Sequence, residues 1–335
     1  MLDAATVALA LAALPQWRGL REDALEKLHD KGLAHAHWRV VGQGLLVRVP
    51  RAADRDGALQ RQATCFRRLE PCGRAPRLHA VIEPSSVLPG GALVVDEVGG
   101  QPPRWPAEIS LVAETLAAIH ALPLPPAEQR APLPDPADPF AATLHGIESN
   151  RPFLERAGAS AEAIRQIDED LAWARDFAIS GALKDAPKSF VVADAHPGNF
   201  VITPAGQAMF VDLEKGGYGA PAIDVAHATL RPSTQWDADC GTVLTRDEVG
   251  RFLRAYFMAA GPALEQAMRP TLLPYRRLTW LRTTLAFARF KVEGTARALA
   301  HEAERHAEKV IREALSAEMI AHIRGEWLGP DPLTF

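Results

Sequence analysis

Two short stretches decide the fold: Val191-Val192-Ala193-Asp194-Ala195-His196-Pro197-Gly198-Asn199-Phe200 and, a little further on, Phe210-Val211-Asp212-Leu213-Glu214. The first is a loop that follows one predicted strand, at 189–192, and precedes another, at 200–202. A third predicted strand, at 208–211, comes after the turn Thr203-Pro204-Ala205-Gly206. Because the loop and the strand ends adjoin, we expect Asp194, Asn199 and Asp212 to project into one place.

Oxygen-bearing side chains in this arrangement are typical of a magnesium site. Mg²⁺ takes few protein oxygens together with substrate phosphates and keeps some of its water. A carboxylate beside such a site orients an attacking hydroxyl or accepts its proton. Each of the three residues alone is an ordinary loop residue, because Asp and Asn side chains cap turns. The joint pattern is far more specific than its parts.

Two other kinds of site fit the same residues less well. A zinc hydrolase would use His196 with Asp194 and Asp212, but no His-x-x-x-His pair lies near to complete the ligand set. A glycosidase would pair Asp212 with Glu214, but alternate residues of a strand face opposite ways and would not flank one bond.

Composition sets the broad class. The chain has 335 residues, of which 47% are hydrophobic and 23% charged, values typical of a folded globular protein with one large domain or two lobes. Lys and Arg total 37 against 41 Asp and Glu, so no basic footprint for nucleic acid is present. No apolar run reaches transmembrane length, and we expect neither a nucleic-acid nor a membrane partner.

The start of the chain and its cysteines indicate the compartment. The apolar segment through Leu14 has an acid, Asp3, where a signal peptide carries positive charge, so we read it as an amphipathic helix. The three cysteines have no metal-type spacing, and Cys65 and Cys72 lie too far apart on one helix for a bridge. We expect a reduced, cytoplasmic protein.

Local patterns predict a small β-rich part followed by a larger helical part. One or two short helices are expected over 4–30, a hairpin over 37–49, a helix over 54–69 and a strand over 92–95. After Gly99-Gly100 the pattern becomes helical over 108–121, 140–180 and from 222 onward. Seven prolines between Pro123 and Pro139 mark a loop between the first two of these helical stretches. We therefore divide the chain into an N-terminal lobe, 1–98, and a C-terminal lobe, 99–335.

The sequence resembles the aminoglycoside phosphotransferase and choline kinase-like family. The resemblance rests on Asp-x-x-His-Pro-Gly-Asn-Phe from Asp194, on hydrophobic-Asp-x-Glu around Asp212, and on Gly219-x-Pro221-x-x-Asp224. Further similar segments are 14–17, 32–40, 47–50, 94–100 and Leu116-x-x-x-His120, so the match runs in order over about two-thirds of the chain. It implies an α+β, protein-kinase-like fold with two lobes.

The resemblance also implies roles, in an enzyme that uses ATP and Mg²⁺ to phosphorylate a hydroxyl of a small molecule. Asp194 would be the catalytic aspartate, Asn199 and Asp212 would hold Mg²⁺, and Asp224 would hold the loop. The nucleotide would meet residues of the N-terminal lobe: Gly32 and His35 over the phosphates, Arg48 at the α- and β-phosphates, and Asp96, Glu97 and Val98 at the adenine edge. The acceptor pocket is predicted near Glu214, Trp236 and Tyr218, although both rings also suit a core.

Several positions depart from the family pattern. Val192-Ala193 stands where the family has His-Gly, Arg48 replaces a lysine, Gln62 replaces a glutamate that pairs with that cation, and His35 replaces an asparagine. These departures motivate an alternative, a catalytically impaired pseudokinase that binds nucleotide or acts as a scaffold. The basic residues Arg276, Arg277, Arg282, Arg289 and Lys291 suggest an acidic acceptor or else a solvated helix face. Acceptor identity and oligomeric state are not encoded in any pattern we recognise.

Overall fold

One antiparallel sheet forms the N-terminal part. The computed structural model describes residues 2–28, 34–54, 56–294 and 301–334. Five strands are ordered β1-β2-β3-β5-β4, with the bounds β1 Leu25–Lys27, β2 His35–Val40, β3 Leu45–Pro50, β4 Leu78–Ile82 and β5 Ala92–Asp96. The predicted hairpin is confirmed as β2 and β3. Its turn uses Gly42 and Gly44, which both have positive φ, a conformation that glycine adopts without steric cost.

Helices cover both faces of this sheet. Successive side chains of a strand alternate between faces, so Ala92 and Val94 of β5 join one apolar cluster while Leu93 and Val95 join another. The first cluster is closed by helix α1 (Ala4–Ala12) and the second by helix α2 (Ala58–Leu69). This double burial explains why β5 reads as an unbroken apolar run.

The segment before β2 differs in part from the expectation of helix over 4–30. Helix α1 is capped by Asp3, whose carboxylate accepts the Thr6 N–H at 2.9 Å, and it ends shortly before Pro15 because the residue preceding a proline avoids helical geometry. Two 3₁₀ turns follow, at Pro15–Trp17 and Glu22–Ala24. Leu25–Lys27 then pairs with β2 as an edge strand, where the helix prediction was wrong.

The C-terminal part is mainly helical, as predicted. The proline-rich segment is a loop with one 3₁₀ turn, Ala127–Gln129. The helices are α3 Ile109–His120, α4 Pro139–Asn150, α5 Phe153–Arg156, α6 Ala161–Ser180, α7 Ala222–Thr229, α8 Arg231–Thr234, α9 Arg246–Ala260, α10 Pro262–Glu293, α11 His301–Ala314 and α12 Ala317–Leu328. No helix within the described ranges has the length and apolar composition needed to cross a bilayer.

Two short antiparallel ribbons lie among these helices. One pairs β6 (Ser189–Val191) with β9 (Gly217–Gly219), and the other pairs β7 (Phe200–Ile202) with β8 (Ala208–Phe210). The sequence did not predict β4 or β9. Gly-Tyr-Gly has little strand propensity, and β9 depends on its partner β6.

The chain passes between the two parts at Gly100. Its φ is +151°, and a β-carbon there would lie 2.2 Å from the Ile202 carbonyl oxygen, so only glycine allows this approach. Gln101 and Ile202 exchange backbone hydrogen bonds at 3.1 and 2.7 Å. The division into lobes at residues 98 and 99 stays a prediction, because one apolar cluster joins Leu93 to Leu116 across it.

Candidate functional site

The ribbon of β7 and β8 brings the predicted metal ligands together. Phe200 pairs with Phe210, and the Val211 N–H donates to the Asn199 carbonyl at 3.0 Å. Asn199 just before the ribbon and Asp212 just after it therefore lie at the same end. The twelve residues between Asn199 and Asp212 form one hairpin, which brings the two ends of that segment together.

The loop that carries Asp194 is held from beneath by buried charged groups. Asp224, on α7, is fully buried and accepts the N–H groups of Val192 and Ala193 at 2.7 and 2.8 Å. The same carboxylate lies 3.1 Å from Nε2 of His120. From α10, Arg282 donates to the Ala193 carbonyl at 3.0 Å. The peptide before Asp194 thus has its polar groups engaged from two sides, which fixes the position of the aspartate.

Ala193 adopts a left-handed conformation with φ +59°. The resemblance places a glycine at this position, and glycine is the residue that suits it, because a β-carbon in this region crowds the neighbouring carbonyl at about 1–2 kcal/mol. The hydrogen bonds from Asp224 and Arg282 hold the strained peptide in place. The departure from the family pattern is therefore accommodated without losing the turn.

The Asp194 carboxylate is mostly buried and faces three basic groups. Its side chain is 17% exposed, with Lys215 Nζ at 2.5 Å from Oδ2. His227 Nδ1 lies 3.8 Å from Oδ1. Burial alone would raise the pKa of Asp194, but Lys215 and the two histidines, His196 and His227, hold that pKa below its usual range. Asp194 is therefore ionised at neutral pH, the state in which a carboxylate can take a proton from a hydroxyl.

The side chains of Asn199 and Asp212 fit a magnesium site completed by phosphates. Asn199 donates its Nδ2 to the Asp194 carbonyl at 2.9 Å, which leaves its amide oxygen for another partner. From the described residues Asp212 receives two long contacts, from the Glu214 N–H at 3.4 Å and from Arg48 at 3.5 Å. Among the described residues no group of three His, Cys, Asp or Glu side chains is placed to hold a metal alone. Mg²⁺ accepts a ligand set of this kind, in which a few protein oxygens are completed by phosphates and water.

Arg48 extends from β3 to this end of the ribbon. Its side chain is buried, Nη1 donates to the Val211 carbonyl at 2.6 Å, and its guanidinium lies 5.8 Å from the ring of Phe66 on α2. The predicted partner Gln62, also on α2, is instead hydrogen-bonded to His35. Arg48 is thus positioned beside Asp212 without an acidic partner from α2.

His35 and Glu214 form the border between β2 and the ribbon. His35 Nδ1 lies 3.8 Å from Oε2 of Glu214. Burial, followed by the charge of Arg48, lowers the pKa of His35 to about 4, so the ring is neutral at physiological pH. Burial and the neighbouring Asp212 raise the pKa of Glu214. Gly32, predicted to cover the phosphates, lies outside the described residues.

The segment after β5 offers fewer hydrogen-bond donors than expected. The Asp96 N–H donates to the Arg77 carbonyl at 3.0 Å and the Glu97 N–H donates to the Gly44 carbonyl at 2.8 Å. Their carboxylates point elsewhere, to His79 at 2.7 Å and to Arg39 at 2.6 Å. Of the three predicted residues, Val98 is the one whose N–H has no backbone partner among the described residues.

The two predicted acceptor aromatics lie in different surroundings. Tyr218 is 4% exposed, its ring packs edge-on against Phe190, and the Arg130 guanidinium lies 5.7 Å from the ring. Trp236 is half-buried and stacks on Phe287 with ring centres 5.1 Å apart. Its neighbour Asp237 packs against Gly198, in the loop that carries Asp194. The structure thus brings Trp236 near the loop and leaves Tyr218 in the core.

The basic residues of α10 do not form one patch. Each reaches a different partner: Arg276 pairs with Glu326, Arg277 with Asp170, Arg289 with Glu293, Lys291 with the Ala157 carbonyl, and Arg282 with the catalytic loop. Sequence analysis placed neither Lys215 nor His227 at this site, and it named Arg282 only as one of a group of basic residues on a helix. Lys215 could have been found from the sequence, because it directly follows the Asp212–Glu214 motif.

Comparison with known proteins identifies the relatives of this chain. The sequence model of the phosphotransferase enzyme family matches residues 25–271, which is more than half of the chain. A search among curated proteins found no significant match.

Solved structures show the same architecture. A choline/ethanolamine kinase family protein from Mesorhizobium loti is 18% identical, with a TM-score of 0.56 over 91% of this chain and 98% of that one. Choline kinase from Cryptosporidium parvum is 14% identical, with a TM-score of 0.60 over 96% of each chain. Aminoglycoside 2'-phosphotransferase-IIIa, solved with GDP, is 14% identical, with a TM-score of 0.61 over 94% of this chain and 99% of that one. The predicted protein-kinase-like, two-part α+β fold is confirmed.

Proposed function

The chain belongs to the phosphotransferase enzyme family, and from that premise we propose that it transfers the γ-phosphoryl group of ATP to a hydroxyl of a small molecule with the help of Mg²⁺. One observation carries the proposal: an ionised, loop-held Asp194 lies next to the ribbon end that presents Asn199 and Asp212. A phosphotransferase needs this combination of a hydroxyl-orienting carboxylate and oxygens for a phosphate-bound cation.

The reaction we propose is a direct, in-line transfer. The acceptor oxygen forms a bond to the γ-phosphorus while the bond from phosphorus to the β,γ-bridging oxygen breaks, and ADP leaves with that electron pair. Asp194 orients the acceptor hydroxyl and takes its proton as the new bond forms. Arg48, buried beside Asp212, is suited to the α- and β-phosphates, because a guanidinium presents several donors to phosphate oxygens.

Magnesium would be held by Asn199 and Asp212 and, when bound, would neutralise charge on the phosphates. His35 and Glu214 border the same space, and Val98 supplies a free N–H for the base. Trp236 and Glu214 stay candidates for the acceptor pocket, and the burial of Tyr218 makes it the weakest of the three.

A two-stage experiment tests the proposal. First, the melting temperature of the purified protein is measured with Mg²⁺ alone, with ATP or GTP alone, and with both, since a ligand of the folded state raises it by mass action. We expect the largest rise to need Mg²⁺ and nucleotide together, and Asp212→Asn to remove that synergy. Second, a panel of amines with hydroxyls, aminoglycosides and sugars is screened for ADP release.

The two stages distinguish the proposal from its alternative. Nucleotide binding with no transfer to any acceptor would favour the pseudokinase. The structural observation that supports this alternative is the missing contact between Gln62 and Arg48. No binding at millimolar nucleotide would contradict the phosphotransferase proposal and would leave a scaffold protein that binds no nucleotide as the alternative. The proposed compartment is the cytoplasm, in keeping with the absence of a disulfide at Cys65, Cys72 and Cys240 in the described part of the chain.

A further inference from the structure

Lys215 lies at the reacting end of the site, although no family motif assigns it a role there. Its ammonium is 2.5 Å from Oδ2 of Asp194, and its side chain is 54% exposed against 17% for the aspartate. Lys215 is therefore the more exposed partner of this pair, and a ligand that reaches Asp194 also reaches the lysine beside it.

The backbone that carries Lys215 is fixed. The next residue, Gly216, packs so closely that a β-carbon there would lie 2.7 Å from the Phe190 ring and 2.8 Å from Sγ of Cys65. Gly217 then enters β9, which pairs with β6 just before the catalytic loop. The lysine stem thus starts from an anchored point and extends back to Asp194, and about half of the side chain stays exposed.

Charge around Lys215 keeps it cationic. Burial would lower the pKa of Lys215, but the Asp194 carboxylate outweighs that effect and, with Glu214 and Asp212, raises the pKa. The lysine therefore gives up no proton in the reaction and stays positively charged throughout. Asp194 needs only one of its two oxygens to orient a hydroxyl, so Lys215 at Oδ2 does not prevent that role.

We propose that Lys215 contacts the phosphoryl group during transfer and stabilises its negative charge. This inference rests on the proposed function. An attacking oxygen lies about 3 Å from the carboxylate that orients it and about 3–3.5 Å from phosphorus. The ammonium beside the same carboxylate is therefore within reach of the equatorial phosphoryl oxygens, where charge is spread in the transition state. Because these contacts strengthen only during transfer, Lys215 acts on kcat rather than on nucleotide affinity.

The test compares two complexes of the full-length protein that differ in the transferred group. Dissociation constants are measured by calorimetry for Mg·ADP and for Mg·ADP with aluminium fluoride, a planar mimic of the phosphoryl group. For Lys215→Met we expect ADP affinity to stay within about twofold and the fluoride complex to weaken tenfold or more, as for a lost transition-state donor. Lys215→Arg, which keeps the charge, should restore most of that affinity. Lys184→Met, at an exposed lysine after α6, is the matched control.

Each outcome has a distinct meaning. Equal affinities of Lys215→Met and the wild type for the fluoride complex would overturn the inference and leave the proposed function standing. An equal loss in both complexes, together with a lower melting temperature without ligand, would assign Lys215 a structural role and also overturn it. Failure of the wild-type protein to bind Mg·ADP at all would overturn the proposed function and the inference with it.

Discussion

Asp170 and Asp194 are both withdrawn from water in the helical part of the molecule, but they differ in the number and the exposure of their cationic partners. Asp170, on α6, has a fully buried carboxylate that pairs with Arg277, lies 2.6 Å from Arg324 and accepts the Trp327 indole N–H at 3.1 Å. Arg277 also stacks on Trp173, 3.8 Å from the ring centre. These partners join α6, α10 and α12.

Asp194 has a different environment. Its one short contact is with a half-exposed lysine, and the His227 nitrogen 3.8 Å from its other oxygen has no hydrogen-bond partner among the described residues. Burial of a charge alone therefore does not mark a functional site. A carboxylate enclosed by fixed partners stabilises the fold, whereas one that keeps a replaceable partner and an open side is available to a substrate.

The largest expected effect is on turnover, at Asp194. Asp194→Ala should lower kcat by about two to four orders of magnitude, the usual contribution of a positioned acid or base, and leave the melting temperature nearly unchanged because water solvates the half-exposed Lys215. Steady-state kinetics and calorimetry on the same preparation check this. Asp176→Ala, at an exposed aspartate of α6, is the control. If the Asp194 variant kept the wild-type kcat, Asp194 would have no role in turnover and would not differ from Asp170 in that respect.

Asp170 should show the opposite result. Asp170→Ala leaves two arginines without their buried partner and should lower the free energy of unfolding by about 3–5 kcal/mol, with kcat of the folded protein unchanged. Glu169→Ala changes the adjacent, exposed carboxylate, which pairs with Arg324 and Arg165, and should cost less than about 1 kcal/mol. Denaturant titration measures both. Similar losses in the two variants would contradict the structural role of Asp170.

His35 extends the comparison to a buried base. Its pKa falls from 6.5 in the unfolded chain to about 4 in the folded protein, so between these values the unfolded state binds more protons. The stability that His35 contributes is therefore complete above pH 6.5 and is lost as pH falls toward 4, by about 2 kcal/mol at pH 5. Melting curves at pH 7.5 and pH 5 should differ less for His35→Asn than for wild type. His322→Asn, at an exposed histidine, should behave as wild type.

The smallest effect is expected at Ala193, next to Asp194. Ala193→Gly removes left-handed strain of about 1–2 kcal/mol but raises the entropy of the unfolded chain by about 0.4–1 kcal/mol. A net stabilisation of about 1 kcal/mol should follow, seen as a slightly higher melting temperature. Ala195→Gly, at a fully buried alanine without positive φ, should instead destabilise. A loss of stability in Ala193→Gly would mean that its left-handed peptide carries no strain.

Sequence analysis predicted the features that depend on residues close together in the chain. The hairpin between Asn199 and Asp212 was readable because its strands and turn are continuous in the chain, and the apolar run of β5 was readable because both of its faces are buried. The partners of Asp170 lie 107 and 157 residues away in Arg277 and Trp327, a separation that no periodic pattern encodes. For the same reason Arg282 was grouped with its helical neighbours although it alone reaches the catalytic loop. The edge strand β1 was missed because its extended form depends on pairing with β2.

The backbone hydrogen bonds after β5 have a consequence for inhibitor design. The amides of Asp96 and Glu97 are already bonded to Arg77 and Gly44, so neither is open to a heterocycle at this edge, where we propose that the nucleotide base binds. A scaffold with acceptors placed for these two amides would leave those acceptors unpaired, at about 1–3 kcal/mol each. Compounds with a single acceptor, and with affinity drawn from an anionic group directed at Arg48 and Lys215, suit this protein better.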